Sequence, residues 1–212
     1  MSSFNEYSLL CKENRIKKPL LILIGGYSGS GKSTLAKRIV EVVPNLNIIP
    51  TGFVRAACKP FIKNEYSGVH TFDLNTVAIK LNLPAESLLL AQGRTLYPAI
   101  ASMAGFLETE KQSAIFEGNH IFPDLEDELT SYNPITVFMK CTDNNKLIEN
   151  MCGPTHPRTL SEVQKQTAIL LNKFYMKHVQ DLGRNMFEYN DTDNAVSFIE
   201  QELGKRIDFL SK

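Results

Sequence analysis

Residues 26–33 read Gly-Tyr-Ser-Gly-Ser-Gly-Lys-Ser, so Gly26 and Gly31 stand five apart and are followed directly by Lys32 and Ser33. This is the full phosphate-loop pattern. The glycines allow a turn tight enough for the N–H groups of Gly26, Ser28, Gly29, Ser30 and Gly31 to converge on phosphate oxygens. A helix opening immediately afterwards presents its positive end to the same anion. Lys32 would neutralise β- and γ-phosphate oxygens, and Ser33 would place its hydroxyl on Mg²⁺, which favours hard oxygen ligands and the phosphates themselves over an all-protein cage. Ser30 and Thr34 read two ways, as hydroxyls touching phosphate or as small residues that simply fit, with Thr34 a second-tier contact.

The pattern needs a strand before it and a helix after it, and the flanking residues supply both. Leu20–Ile24 is a continuous apolar run, as expected of a parallel strand buried on both faces. Leu35, Ala36, Ile39, Val40 and Val43 recur at helical spacing until Pro44, which cannot continue a helix. Further short apolar runs at Leu46–Ile49, Ala114–Phe116, Ile135–Met139 and Met186–Tyr189 bring the strand candidates to five, separated by helical stretches. The expected fold is α/β: a three-layer P-loop NTPase fold with a mostly parallel sheet of about five strands and helices on both faces.

About sixty residues separate the second and third candidates. They hold helical pieces around Ala85–Gln92 and Tyr97–Lys111 and read as a helical, substrate-binding insertion whose Tyr97, Met103 and Phe106 are core. Thr159-Leu160-Ser161-Glu162 reads as a capping box opening a helix with Val163, Thr167, Leu170, Leu171, Phe174 and His178 on its apolar face and Gly183 as its stop. The expected organisation is one domain over 1–212, with a core at about 19–52 and 113–204, an insertion at about 53–112 and a short lid at about 152–159.

Composition narrows the class. The 212 residues carry 23 basic and 23 acidic side chains and are 43% hydrophobic, enough for a real core and without the basic footprint of a duplex nucleic-acid binder. Met1–Ser8 lacks the pattern of a secretory signal and no apolar stretch is long enough to cross a bilayer, so a soluble, cytoplasmic chain with no membrane partner is expected. Cys11, Cys58, Cys141 and Cys152 are scattered without a C-x-x-C pair and read as reduced thiols. Lys12–Lys18 reads as a solvated lead-in, an anionic surface partner being the other reading. A GTPase switch is not expected: Asn172-Lys173-Phe174-Tyr175 fails the guanine-reading pattern at its last position, and there is no Asp-x-x-Gly.

The early loop and the long insertion resemble the small P-loop kinases of the nucleoside-monophosphate-kinase-like group, over roughly residues 19–204. Within that group the chain is similar to the 2-phosphoglycerate kinase family, over roughly 19–125, in three places. These are Ile24–Thr34, Val69-His70-Thr71, and Glu117-Gly118-Asn119-His120-Ile121-Phe122-Pro123. The resemblance implies ATP as phosphoryl donor with Mg²⁺, adenine over guanine, and an anionic, hydroxyl-bearing acceptor. One position departs: the family pattern Thr-Asp-x-Ile-Arg stands here as Thr51-Gly52-Phe53-Val54-Arg55, so Gly52 replaces the carboxylate placed to orient or deprotonate the acceptor.

Glu117, directly after an apolar run, belongs at a strand's carboxyl end, where ligands of parallel sheets collect. There it would hold a Mg²⁺-bound water or take the acceptor's proton, against the alternative of a solvated strand-end glutamate; Asp73 is the weaker substitute. Arg55 with Lys59, His70 and His120 would grip an anionic acceptor, or be a basic helix face and structural histidines. Arg158, on the breaker-rich segment Cys152–Arg158, is the candidate that closes over the phosphates, ahead of Arg184, while Arg94 is similar in kind to Arg55 and Lys59 and weaker in position. The expected activity is ATP- and Mg²⁺-dependent phosphoryl transfer to a small, anionic, hydroxyl-bearing metabolite, with a 2-phosphoglycerate-like molecule among the candidates and Lys32, Glu117 and Arg158 as catalytic residues. Two other readings are a kinase of a nucleotide sugar or polynucleotide end, and a nucleotide-binding protein that has lost transfer.

Overall fold

The computed structural model describes residues 2–43, 45–153 and 157–212. In chain order the elements are α1 (Ser3–Lys12), β1 (Leu21–Gly25), α2 (Lys32–Val42), β2 (Leu46–Pro50), α3 (Thr51–Cys58), α4 (Leu74–Leu81), α5 (Ala85–Thr109) and β3 (Ser113–Gly118). They continue with α6 (Leu125–Glu128), β4 (Ile135–Lys140), α7 (Asn144–Met151), α8 (Glu162–Asp181), β5 (Met186–Glu188), α9 (Thr192–Gly204) and α10 (Ile207–Leu210). All five expected strands form, in the order β2-β3-β1-β4-β5. Every pairing is parallel.

The central strand shows why the sheet needs helices on both sides. Leu21, Leu23 and Phe116 enter one core, with α3, α4, α5 and α8. Ile22, Ile24 and Ile115 enter the other, with α1, α2 and α9. Each of Leu21–Ile24 is at most 1% exposed, so each buried side chain stabilises the fold by about 1.5–3 kcal/mol relative to leaving it in water. The pairing Ile24↔Glu117, Gly25↔Gly118 and Pro50↔Glu117 brings the carboxyl ends of β1, β2 and β3 to one level. That level carries the site.

Several expectations are corrected. Residues 3–12, ahead of the expected core, form α1, a helix that docks on α9 through Phe4, Tyr7 and Leu10 and joins the second core. The two helical pieces of the insertion are one 25-residue helix, α5, running through Pro98. Pro98 lies on the exposed face of that helix. Phe106 is 63% exposed and lies outside the core, whereas Tyr97 is buried.

The capping box of α8 also moves. Ser161, not Thr159, is the N-cap, and Gln164 completes the box, because Ser161 Oγ accepts from Gln164 N while Gln164 Oε1 accepts from Ser161 N. The buried face is Thr167, Ala168, Leu171, Asn172, Tyr175 and Val179, leaving Val163 and Leu170 exposed. Two polar residues become inward-facing because each finds a partner there: Asn172 Nδ2 donates to Cys141 O at 2.9 Å and Tyr175 O–H donates to Ile121 O. Gly183 stops the helix with φ +69°. Pro44, the expected helix breaker, lies outside the described residues, as do residues 154–156 of the expected lid. All four cysteines are free thiols. Among the described residues no helix is long and apolar enough to cross a membrane.

Candidate active site

The glycine-rich turn lies between the end of β1 and the start of α2. Gly31 caps α2 with φ +87°, and a Cβ there would stand 2.9 Å from Tyr189 O. Gly29 has φ +83°, and a Cβ there would meet Leu147 O of α7 at 2.7 Å. Both positions combine a left-handed backbone with a backbone neighbour, which is why side chains are excluded. Asn150 of α7 then ties the turn down, its Nδ2 donating to Gly29 O at 2.9 Å.

Lys32 is 8% exposed and its Nζ donates to Tyr27 O at 2.8 Å. Burial lowers its pKa, and the neighbouring Glu117 carboxylate opposes that shift. Ser33 Oγ donates to Glu117 Oε1 at 3.1 Å. Lys32, Ser33 and Glu117 therefore form one charged cluster at the carboxyl end of the sheet. A serine hydroxyl beside a carboxylate is a hard-oxygen donor set of the kind Mg²⁺ takes alongside phosphates.

A cavity of about 1120 Å³ opens over this cluster. Ser28, Gly29, Gly31, Lys32, Ser33 and Thr34 line it. Gly26 and Ser30, also expected to bind phosphate, are buried and do not line the cavity; Ser30 Oγ finds no hydrogen-bond partner among the described residues. Gly52, Arg55, His70, Asn119, His120 and Arg158 line the same cavity. The structure thus brings together the loop, Glu117 and the three expected acceptor-side residues, with Arg158 on the same cavity.

Arg55 is half-buried and its Nη1 donates to Val69 O. His70 stacks on Phe72 with ring centroids 3.8 Å apart, and the Arg158 guanidinium lies over the same Phe72 ring at 5.6 Å. Burial, then the charges of Arg55 and Arg158, push the His70 pKa down to about 4, so its ring is neutral at neutral pH.

His120 has a different place from that expected of an anion-gripping residue. It is 1% exposed, and both ring nitrogens are engaged within the chain. Gln92 Nε2 donates to Tyr66 O and Val69 O at 2.6 and 2.9 Å, which turns Gln92 Oε1 toward His120. His120 Nε2–H therefore donates to Gln92 Oε1 at 3.0 Å, leaving Nδ1 to accept from Thr51 Oγ1 at 2.9 Å. Burial pushes the His120 pKa down to about 3, consistent with this neutral tautomer. The chain Thr51–His120–Gln92 links the start of α3, the loop after β3 and α5. It also accounts for Gly118, where a Cβ would stand 1.8 Å from Thr51 Oγ1.

Other candidates lie elsewhere. Asp73 accepts from Gln164 Nε2 at 2.8 Å, Arg94 pairs with Asp124 at 2.7 Å, and Arg184 pairs with Glu126; none lines the cavity. Lys59 is exposed and lies off the cavity as well. Lys37, Asn119, Asn150 and Tyr189 line it without having been singled out. Asn119, whose Nδ2 donates to Thr71 Oγ1 at 2.9 Å, had a sequence signal, standing two residues after Glu117 in the quoted motif. Asn150 and Tyr189 had none, since only the fold carries α7 and β5 against the loop.

No protein-family model matches the chain. It is 27% identical over 157 residues to the 2-phosphoglycerate kinase of Methanothermobacter thermautotrophicus, a match covering 66% of this chain and 49% of that protein. It is 27% identical over 140 residues to the 2-phosphoglycerate kinase of Methanocaldococcus jannaschii, covering 64% of this chain and 45% of that one. The chain spans less than half the length of the curated relatives it matches. Among solved structures it is similar to shikimate kinase from Acinetobacter baumannii in complex with shikimate, with TM-score 0.54 and 13% identity over 92% of this chain and 98% of that one. At that identity the likeness is one of fold. Loop, strand order and these distant likenesses agree: the chain has a P-loop, kinase-like α/β fold.

Proposed function

We propose that this chain is an ATP- and Mg²⁺-dependent phosphotransferase acting on a small anionic metabolite. The observation that carries the reading is one cavity lined by the phosphate loop, Lys32, Ser33 and Glu117 together with Arg55, His70 and Arg158. The loop amides and Lys32 hold the β- and γ-phosphates, Lys32 exchanging the Tyr27 carbonyl for phosphate oxygens. Ser33 and Glu117 are the residues that would hold Mg²⁺, whose bound charge supplies neutralisation across the phosphates. Arg55 and His70 grip the acceptor's anionic group, and Arg158 stabilises charge spreading on the transferred phosphoryl group. The neutral overall charge argues against a nucleic-acid acceptor held by its backbone.

The test is ADP release with a panel of anionic metabolites, using the wild type and Lys32→Ala. Acceptor-dependent ADP release that disappears in Lys32→Ala supports the reading. Turnover unaffected by Lys32→Ala overturns it. A nucleotide-binding protein without transfer is the second reading, favoured by the bare backbone at Gly52; it predicts ATP binding with no acceptor-dependent ADP from any member of the panel.

A further inference from the structure

Four hydrogen bonds form a ring that begins and ends on α3. Thr51 Oγ1 donates to His120 Nδ1 at 2.9 Å, His120 Nε2 donates to Gln92 Oε1 at 3.0 Å, and Gln92 Nε2 donates to Val69 O at 2.9 Å. Arg55 Nη1 donates to the same Val69 O, whose two lone pairs accommodate both donors. Arg55 stands one turn after Thr51, so the ring leaves α3 at its first residue and returns to it at the cation. Thr51, Gln92 and His120 are each at most 1% exposed, so water does not compete for their bonds. Val69 lies in the loop between α3 and α4, and Gln92 of α5 fixes that loop twice, its Nε2 also donating to Tyr66 O at 2.6 Å. One buried amide thus holds the carbonyl that holds Arg55.

Resting on the phosphotransferase reading, we infer that Gln92 is a positioning residue for the anionic acceptor: through Val69 O it holds the Arg55 guanidinium on the cavity, while His120 and Thr51 fix the orientation of the Gln92 amide. The ring runs in one direction only. A flipped Gln92 amide would set Oε1 against the carbonyls of Tyr66 and Val69, and Nε2 against His120 Nε2–H. An arginine on its long stem loses rotamer freedom when it meets an anion, and a guanidinium already anchored on a fixed carbonyl has less left to lose. His120, which the Glu117–Pro123 motif marks as an anion-binding candidate, acts on the acceptor through Gln92 and Arg55 and does not touch it. A purely structural amide would matter to everything the cavity does, whereas a positioning one matters to the acceptor and only while Arg55 is present.

The experiment has two arms. Nitrogen-15 NMR of the arginine guanidinium groups, with Arg55→Lys to assign the signals, reads the ring without any ligand. The wild type should give resolved Arg55 Nη signals, from restricted rotation, that collapse to an averaged signal in Gln92→Met. In the kinetic arm, the anionic metabolite that gives the fastest ADP release in the panel is the acceptor. Gln92→Met should raise its KM about tenfold or more, with kcat and the ATP dissociation constant each within about threefold of the wild type. In an Arg55→Ala background the same substitution should change KM by less than about threefold. Thr51→Val, which removes one hydroxyl at the far end of the ring, should raise KM in the same direction, and Thr51→Ser, which keeps it, should restore KM; this pair and the wild-type spectrum carry the test if Gln92→Met does not fold. Averaged Arg55 signals in the wild type, an equal loss of ATP binding in Gln92→Met, or the same KM increase with and without Arg55 overturns the inference and leaves the phosphotransferase reading standing. Turnover of no panel member by the wild type overturns that reading and, with it, the acceptor role given to Gln92.

Discussion

Replacing Gly118 by alanine puts a methyl group where Thr51 Oγ1 now lies, at 1.8 Å from it and 3.0 Å from Thr51 Cβ. Thr51 is fully buried, so the hydroxyl can yield only by turning away from His120 Nδ1. That leaves a buried acceptor unpaired, costing about 1–3 kcal/mol, and overpacking adds about 1–3 kcal/mol. Gly118→Ala should therefore lose about 2–6 kcal/mol of unfolding free energy, measured by urea denaturation followed by far-ultraviolet circular dichroism. The cause is specific to one atom pair, so the cost must depend on residue 51. In a Thr51→Ala background the clashing hydroxyl is gone, and Gly118→Ala should cost at least about 1 kcal/mol less than in the wild type. A Gly118→Ala cost below about 0.5 kcal/mol, or the same cost in both backgrounds, refutes the reasoning that Thr51, Gly118 and His120 form one packed, hydrogen-bonded unit.

Asn150→Ala removes the side-chain bond to Gly29 O and should weaken ATP·Mg²⁺ binding by about five- to tenfold in a calorimetric titration, with stability changed little. Arg158→Ala should cut acceptor-dependent ADP release by about a hundredfold or more while shifting the ATP dissociation constant by less than about threefold. Stability should fall on acidification through the histidines. In the folded chain His70 and His120 are held neutral, with pKa values pushed down to about 4 and about 3, while in the unfolded chain each takes up a proton near pH 6.5. Their contribution is therefore fully present above about pH 6.5 and is lost progressively toward pH 4, and a melting temperature that stays flat over that interval contradicts their burial as neutral rings.

The sheet was legible because parallel strands covered on both faces must be apolar almost throughout, and Leu21–Ile24 and Ile135–Met139 are. The phosphate loop was legible for a related reason, since its geometry leaves so little room for a side chain at Gly26 and Gly31 that the residue types become a signature. What periodicity missed was burial decided by partners. Asn172 and Tyr175 turn inward on α8 because Cys141 O and Ile121 O await them, and no spacing rule contains that. The same holds for His120, whose two partners come from residues 69 and 28 positions away, and whose burial in their midst separates it from His70. Helix α1 offered a weak signal, Phe4, Tyr7 and Leu10 at three-residue steps after Ser2, diluted by the polar residues between them.

The central claim is that the loop at residues 26–33, with Lys32, clasps a triphosphate. Isothermal titration of the wild type and Lys32→Ala with ATP in the presence of Mg²⁺ tests it most directly. The account predicts saturable one-site binding by the wild type and at least a tenfold loss in Lys32→Ala, about 1.4 kcal/mol or more. Wild-type protein that gives no binding heat, or a Lys32→Ala variant that binds ATP as tightly as the wild type, would contradict it.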